Sequence, residues 1–67
     1  MDKLATLERV HKTNIERLVK EFGDERIPEI ERLYNTHRFS DESDAKIQDF
    51  IPIFTYRAVR ETLGKGY

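Results

Sequence analysis

The last third of the chain places the tightest constraint on how it can fold. Asp44-Ala45-Lys46-Ile47-Gln48-Asp49-Phe50-Ile51-Pro52-Ile53-Phe54, running on to Arg57-Ala58-Val59-Arg60-Glu61-Thr62-Leu63, has a helical pattern, yet it holds a proline in its middle and apolar residues on more than one face. Ile47, Phe50, Ile51, Phe54 and Ala58 make one stripe. Tyr56, Val59 and Leu63, with Ala45 behind them and Ile53 near the edge, make a second stripe rotated by well over a quarter turn. A helix that is apolar on two sides either bends or has a partner. Pro52 inside a helix removes a backbone hydrogen bond and clashes with the preceding turn, so a kink or break there would redirect the later stripe towards the same core. Without that redirection, Ile53, Tyr56, Val59 and Leu63 form a tyrosine-edged apolar patch, the candidate interaction surface of the chain.

Length sets the next limit. With 67 residues the chain makes one small domain, which buries about 60% of the surface its unfolded form exposes. A deep catalytic cavity is not expected. There is no cysteine, so packing alone must hold the core, and two histidines without thiols do not suggest a closed four-ligand zinc site. Lys and Arg number 12 against 13 Asp and Glu, which argues against a general electrostatic footprint for nucleic acid or anionic lipid. Phe50 to Phe54, the longest apolar run, is too short to cross a bilayer, and the N-terminus lacks the apolar region of a secretory signal. The expected location is the cytoplasm, with no membrane association.

Three helices are predicted, over about 3–22, 27–38 and 44–63, followed by a loose tail over 64–67. In the first, Leu4, Leu7, Ile15, Leu18, Val19 and Phe22 share a stripe that leaves out Val10. Its outer side carries Glu8, Lys12, Glu16 and Lys20, a ladder of alternating sign worth roughly 0.2–0.5 kcal/mol per pair. Thr13 followed by Glu16 is a competing start signal, but the ladder crosses it unbroken, which favours one continuous helix. Gly23 ends that helix in a conformation that a side chain would resist. Pro28 suits the first turn of the second helix, where Ile30, Leu33 and Tyr34 line one face. Phe39 lies about opposite them, so that helix should end near Arg38 and Phe39 should fold back from the loop. The third should begin around Ser43 or Asp44.

These segments resemble a family of small bacterial three-helix proteins known only as a domain of unknown function. The match runs from about Ile15 to Leu63, through Leu18-Val19-Lys20-Glu21-Phe22-Gly23, Ile30-Glu31-Arg32-Leu33-Tyr34, Ala45-Lys46-Ile47-Gln48-Asp49-Phe50-Ile51-Pro52 and Val59-Arg60-Glu61-Thr62-Leu63. Two features depart from the family's pattern. The turn after Gly23 is one residue longer, and residues 35–43 lack the leucines that usually continue the second helix. The resemblance implies a three-helix fold and brings no activity, cofactor or functional residue with it.

Several sites compete with the interaction surface. In an antiparallel hairpin about Gly23, His11 and His37 would stand at about the same level, admitting a metal or pH-sensing reading with Glu8, Asp41 or Asp44 as oxygen donors. Half-buried, hydrogen-bonded histidines are the plainer reading. Two helices joined through Gly23 also suggest a helix-turn-helix, with Arg26, Arg32 and Arg38 as phosphate contacts. Glu21, Asp24, Glu25, Glu29 and Glu31 occupy the same surface and would repel the phosphates. Asp44 and Asp49 could pair as catalytic carboxylates, but an Asp near a helix start is more often a cap. Gly64-Lys65-Gly66 lacks the strand and following helix of a phosphate loop. The expected protein is therefore an all-α domain, a helical hairpin with a third helix kinked or broken near Pro52. Its expected core is Leu7, Ile15, Leu18, Phe22, Ile30, Leu33, Tyr34, Ile47, Phe50, Ile51 and Phe54. It should act without enzymatic activity or cofactor, binding a protein partner or itself, with nucleic-acid binding as the alternative.

Overall fold

The computed structural model describes residues 3–44 and 47–65; the side chain of Leu4, together with Ala45, Gly66 and Tyr67, on which expectations were also placed, lies outside the described residues. Helix α1 spans Lys3–Phe22 and passes through Thr13 without a break. Leu18 on its inner side is fully buried, and Leu7, Ile15, Val19 and Phe22 are partly so, while Val10 faces outward. Gly23 stops the helix. Its backbone sits at φ 107° and ψ 148°, a region essentially reserved for glycine, while its N–H donates to the Val19 carbonyl at 2.7 Å. A short 3-10 turn over Asp24–Arg26 then leads into α2, Ile27–Ser43, with Pro28 in its first turn.

Helix α2 continues past the predicted end at Arg38 to Ser43. Continuing costs little, because each added residue brings a backbone hydrogen bond. The extra turns also place Asp41 inward, where its carboxylate accepts a hydrogen bond from Thr55 at 2.8 Å, and allow Arg38 to reach Glu42 at 3.3 Å. Phe39 stays on the outer face and is 72% exposed. Asp44, expected near the start of the third helix, instead closes the end of α2, its N–H donating to the Ser40 carbonyl at 3.0 Å.

The third helix, α3, spans Ile51–Gly64, so the expected start near residue 44 moves to Ile51, after a 3-10 turn over Gln48–Phe50. The break near Pro52 takes the form of a helix start. Pro52 occupies the first turn, where the absent N–H would have had no partner within the helix. Contacts between helices fix their directions. His11 meets Tyr34 and Glu8 meets Arg38, so α1 and α2 are antiparallel; Asn14 meets Pro52 and Glu21 meets Arg60, so α3 returns alongside α1 in the same direction. The fold is an all-α three-helix domain, and among the described residues no helix is long and apolar enough to cross a membrane.

Leu18, Ile30, Tyr34, Val59 and Leu63 form the core, with Ile15, Val19, Phe22, Leu33 and Tyr56 packed against it. Full burial of each large aliphatic side chain contributes roughly 1.5–3 kcal/mol. Ile47, Phe50 and Phe54, assigned to the core by periodicity, are exposed, whereas Val59 and Leu63, assigned to the candidate surface, are buried. The reason lies in where α3 begins. Starting at Ile51 gives an unbroken row of inward residues, Ile51, Thr55, Val59 and Leu63, along the whole helix. The competing stripe loses Ile47 and Phe50 to the chain before the helix, and the fuller row takes the core.

Candidate interaction surface

The face of α3 turned away from the core is apolar over its first half. Ile53 is 57% exposed, Phe50 at the helix boundary 48% and Phe54 42%, and Ile47 just upstream is 65% exposed. Of the residues predicted as a surface, Ile53 remains outside, Tyr56 is half buried against the core, and Val59 and Leu63 are removed from it altogether. Periodicity gives both stripes and leaves open whether the second turns inward; with α3 starting at Ile51, Val59 and Leu63 turn into the core and Phe50 and Phe54 stay outside.

Beside this face, α1 and α3 enclose an open groove of about 290 Å³. Val10, Asn14 and Arg17 line it from α1, and Pro52, Ile53, Tyr56 and Arg57 from α3. The walls are mainly apolar and the lining charges are all positive. Val10, which the stripe analysis left out of the core, faces this groove. Its position off the inward stripe was the available signal, but nothing in the sequence paired it with Ile53.

Asn14 joins the groove to a buried polar cluster. Its Nδ2 donates to the Pro52 carbonyl at 3.0 Å and to the Tyr34 hydroxyl at 2.9 Å, and the carbonyl, which can only accept, fixes which end of the amide faces it. Tyr34 is fully buried, and its hydroxyl lies 2.6 Å from His11 Nδ1. With Asn14 donating to the phenol oxygen, the phenol proton needs an acceptor, and His11 Nδ1 supplies it. That assigns the neutral imidazole with its proton on Nε2. Burial holds the His11 pKa below its ordinary value, reinforced by the positive charge of Arg38. Burial also raises the Tyr34 pKa, opposed by the hydrogen bond from Asn14.

Nearer the surface, Arg38 donates to both Glu8 and Glu42, and its hydrogen bond to Glu8 lowers the pKa of that carboxyl. His11 is thus engaged with Tyr34, and His37 is half buried on α2. Among the described residues no group of three or more His, Cys, Asp or Glu side chains is placed to hold a metal ion. Asp49, considered as half of a carboxylate pair with Asp44, lies 3.1 Å from Lys3.

The three arginines of the nucleic-acid reading do not form a continuous basic stripe. Arg26 meets Glu29 at 3.2 Å and lies over the Phe22 ring, Arg38 is held between Glu8 and Glu42, and Arg32 stands exposed on the outer side of α2 beside Glu29. Two of the three therefore spend their charge on carboxylates. Compared with protein-family models, curated proteins and solved structures, the chain gave no match.

Proposed function

We infer that this chain is a cytoplasmic, non-enzymatic protein-interaction module, and that its contact surface is the outward face of α3 around Phe50, Ile53 and Phe54. One observation carries the reading: four large apolar side chains from Ile47 to Phe54 are each more than two-fifths exposed. A cluster of this kind on so small a domain favours association, because covering it removes apolar surface from water at no cost in buried charge.

The test uses sedimentation over a wide concentration range, together with a photo-crosslinking residue in place of Phe54 in the source cell. The expected result is a defined adduct, to a second copy or to another protein, that disappears in the Phe50→Ser background while helical circular dichroism is retained. A monomer at every concentration that yields no specific adduct would refute the reading.

A further inference from the structure

The groove between α1 and α3 has a charge pattern that the exposed face of α3 lacks. Arg17 enters it from one helix and Arg57 from the other, and no carboxylate lines it. In a chain whose formal charge is −1, that local bias is not a property of the whole surface. Elsewhere Arg26 pairs with Glu29, Arg38 with Glu8 and Glu42, and Arg60 with Glu21, while Arg9 and Arg32 stand apart from the groove lining. Arg17 and Arg57 make no ion pair among the described residues. Glu21 follows Arg17 by one turn but is held by Arg60 at 3.1 Å.

Between the two guanidinium groups the walls are Val10, Pro52, Ile53 and Tyr56. A volume of about 290 Å³ is at the low end for a small-molecule site, and the groove is open to solvent along its length. It suits a few side chains of a longer partner. Asn14 cannot serve as a free hydrogen-bond donor at its base, since Nδ2 already serves Tyr34 and Pro52. Recognition must therefore come from apolar contact and from the two cations.

We propose that this groove receives an acidic amphipathic helix of a partner protein, with its apolar side chains seated on Val10, Ile53 and Tyr56 and its carboxylates meeting Arg17 and Arg57. The proposal rests on the interaction reading above and specifies the partner's chemistry. Parallel walls from two helices form the kind of trough into which a third amphipathic helix lays one face, with anchors at i, i+3 or i+4, and i+7. Glutamates beside those anchors come within reach of an arginine on either side. Guanidinium forks favour carboxylates because two parallel N–H donors match two oxygens.

The test takes the whole chain and a fluorescent helical peptide with leucine anchors at i, i+4 and i+7 flanked by glutamates, alongside a twin in which every glutamate is glutamine. Anisotropy titration should show the glutamate peptide binding with an affinity that falls as salt is raised, and the glutamine twin binding at least about tenfold more weakly. Arg17→Gln combined with Arg57→Gln should erase that preference. Ile53→Glu and Val10→Glu, both at exposed positions, should each abolish binding while leaving the helical circular dichroism intact.

Equal affinity for both peptides, insensitivity to the arginine substitutions, or no binding at millimolar peptide would overturn the proposal. So would binding to vesicles containing phosphatidylserine in place of the peptide, which would assign the same cations to a lipid surface. Failure of the peptide while adducts at position 54 persist would refute the groove assignment alone. Failure of both would remove the interaction reading as well.

Discussion

Removing the Tyr34 hydroxyl by Tyr34→Phe perturbs a buried polar cluster that ties all three helices together. The ring would keep its place, since Tyr34 is fully buried and its aromatic body belongs to the core. The hydroxyl, however, bonds His11 Nδ1 at 2.6 Å and Asn14 Nδ2 at 2.9 Å. Asn14 retains the Pro52 carbonyl, so its loss is partial; His11 Nδ1 is left buried without its donor. An unsatisfied buried polar group costs about 1–3 kcal/mol, and we expect a loss of about 2 kcal/mol. For 67 residues total stability should be roughly 3–10 kcal/mol, so the substitution takes a large share.

Urea unfolding followed by helical circular dichroism measures this. With a slope near 1 kcal/mol per molar, the midpoint should fall by about 2 M with the slope unchanged. The pH dependence supplies an independent arm. The folded-state pKa of His11 is depressed, so the proton binds the unfolded chain more readily. The stability linked to His11 is therefore complete above about pH 6.5 and is lost as pH falls from there through the folded pKa. His11→Gln, which removes the titration and leaves an acceptor, should shrink the stability difference between pH 7 and pH 5, with His37 present in both proteins. A loss below about 0.5 kcal/mol for Tyr34→Phe, or an unchanged pH difference for His11→Gln, would refute the assigned roles.

Gly23→Ala should destabilise by about 1–3 kcal/mol, because its positive φ strains any side chain although nothing crowds the added carbon; Gly64→Ala, at the end of α3, should be neutral or stabilising by up to about 1 kcal/mol, and thermal melts distinguish the two. Pro52→Ala should leave α3 starting at Ile51 in NMR chemical shifts, at a cost of about 1 kcal/mol from the smaller side chain at a buried position; a helix extended upstream through Phe50 would contradict the first-turn role. Val59→Glu should unfold the domain by burying a charge at a fully buried site, whereas Ile53→Glu should leave it folded, and a folded Val59→Glu protein would overturn the assignment of α3's inward face.

Local chemistry settled much of this protein before any contact was considered. The stripe of α1 and the ladder across Thr13 predict one continuous helix. Gly23 supplies the stop because only glycine adopts its backbone angles easily, and Pro28 marks the opening turn of α2 because proline has no N–H to leave unpaired. These signals lie within a turn of the residues they govern. The end of α2 is not legible locally, because Phe39 faces outward and the inward contact beyond it comes from Asp41 and Thr55 on different helices.

Tertiary structure decided what local pattern left balanced. The chain after Asp44 offers two apolar stripes of similar size, and periodicity cannot rank them. Once α3 starts at Ile51, the row through Val59 and Leu63 meets Leu18, Ile30 and Tyr34, and Phe50 and Phe54 remain outside. The link from His11 through Tyr34 and Asn14 to Pro52 is likewise hidden, since its hydrogen-bonded pairs are separated by 20 to 38 positions and meet only when all three helices pack. Neighbours along the chain set α1 and the opening of α2, but where α2 ends, where α3 begins and which faces are buried depend on the faces opposite, and those exist only in the folded domain.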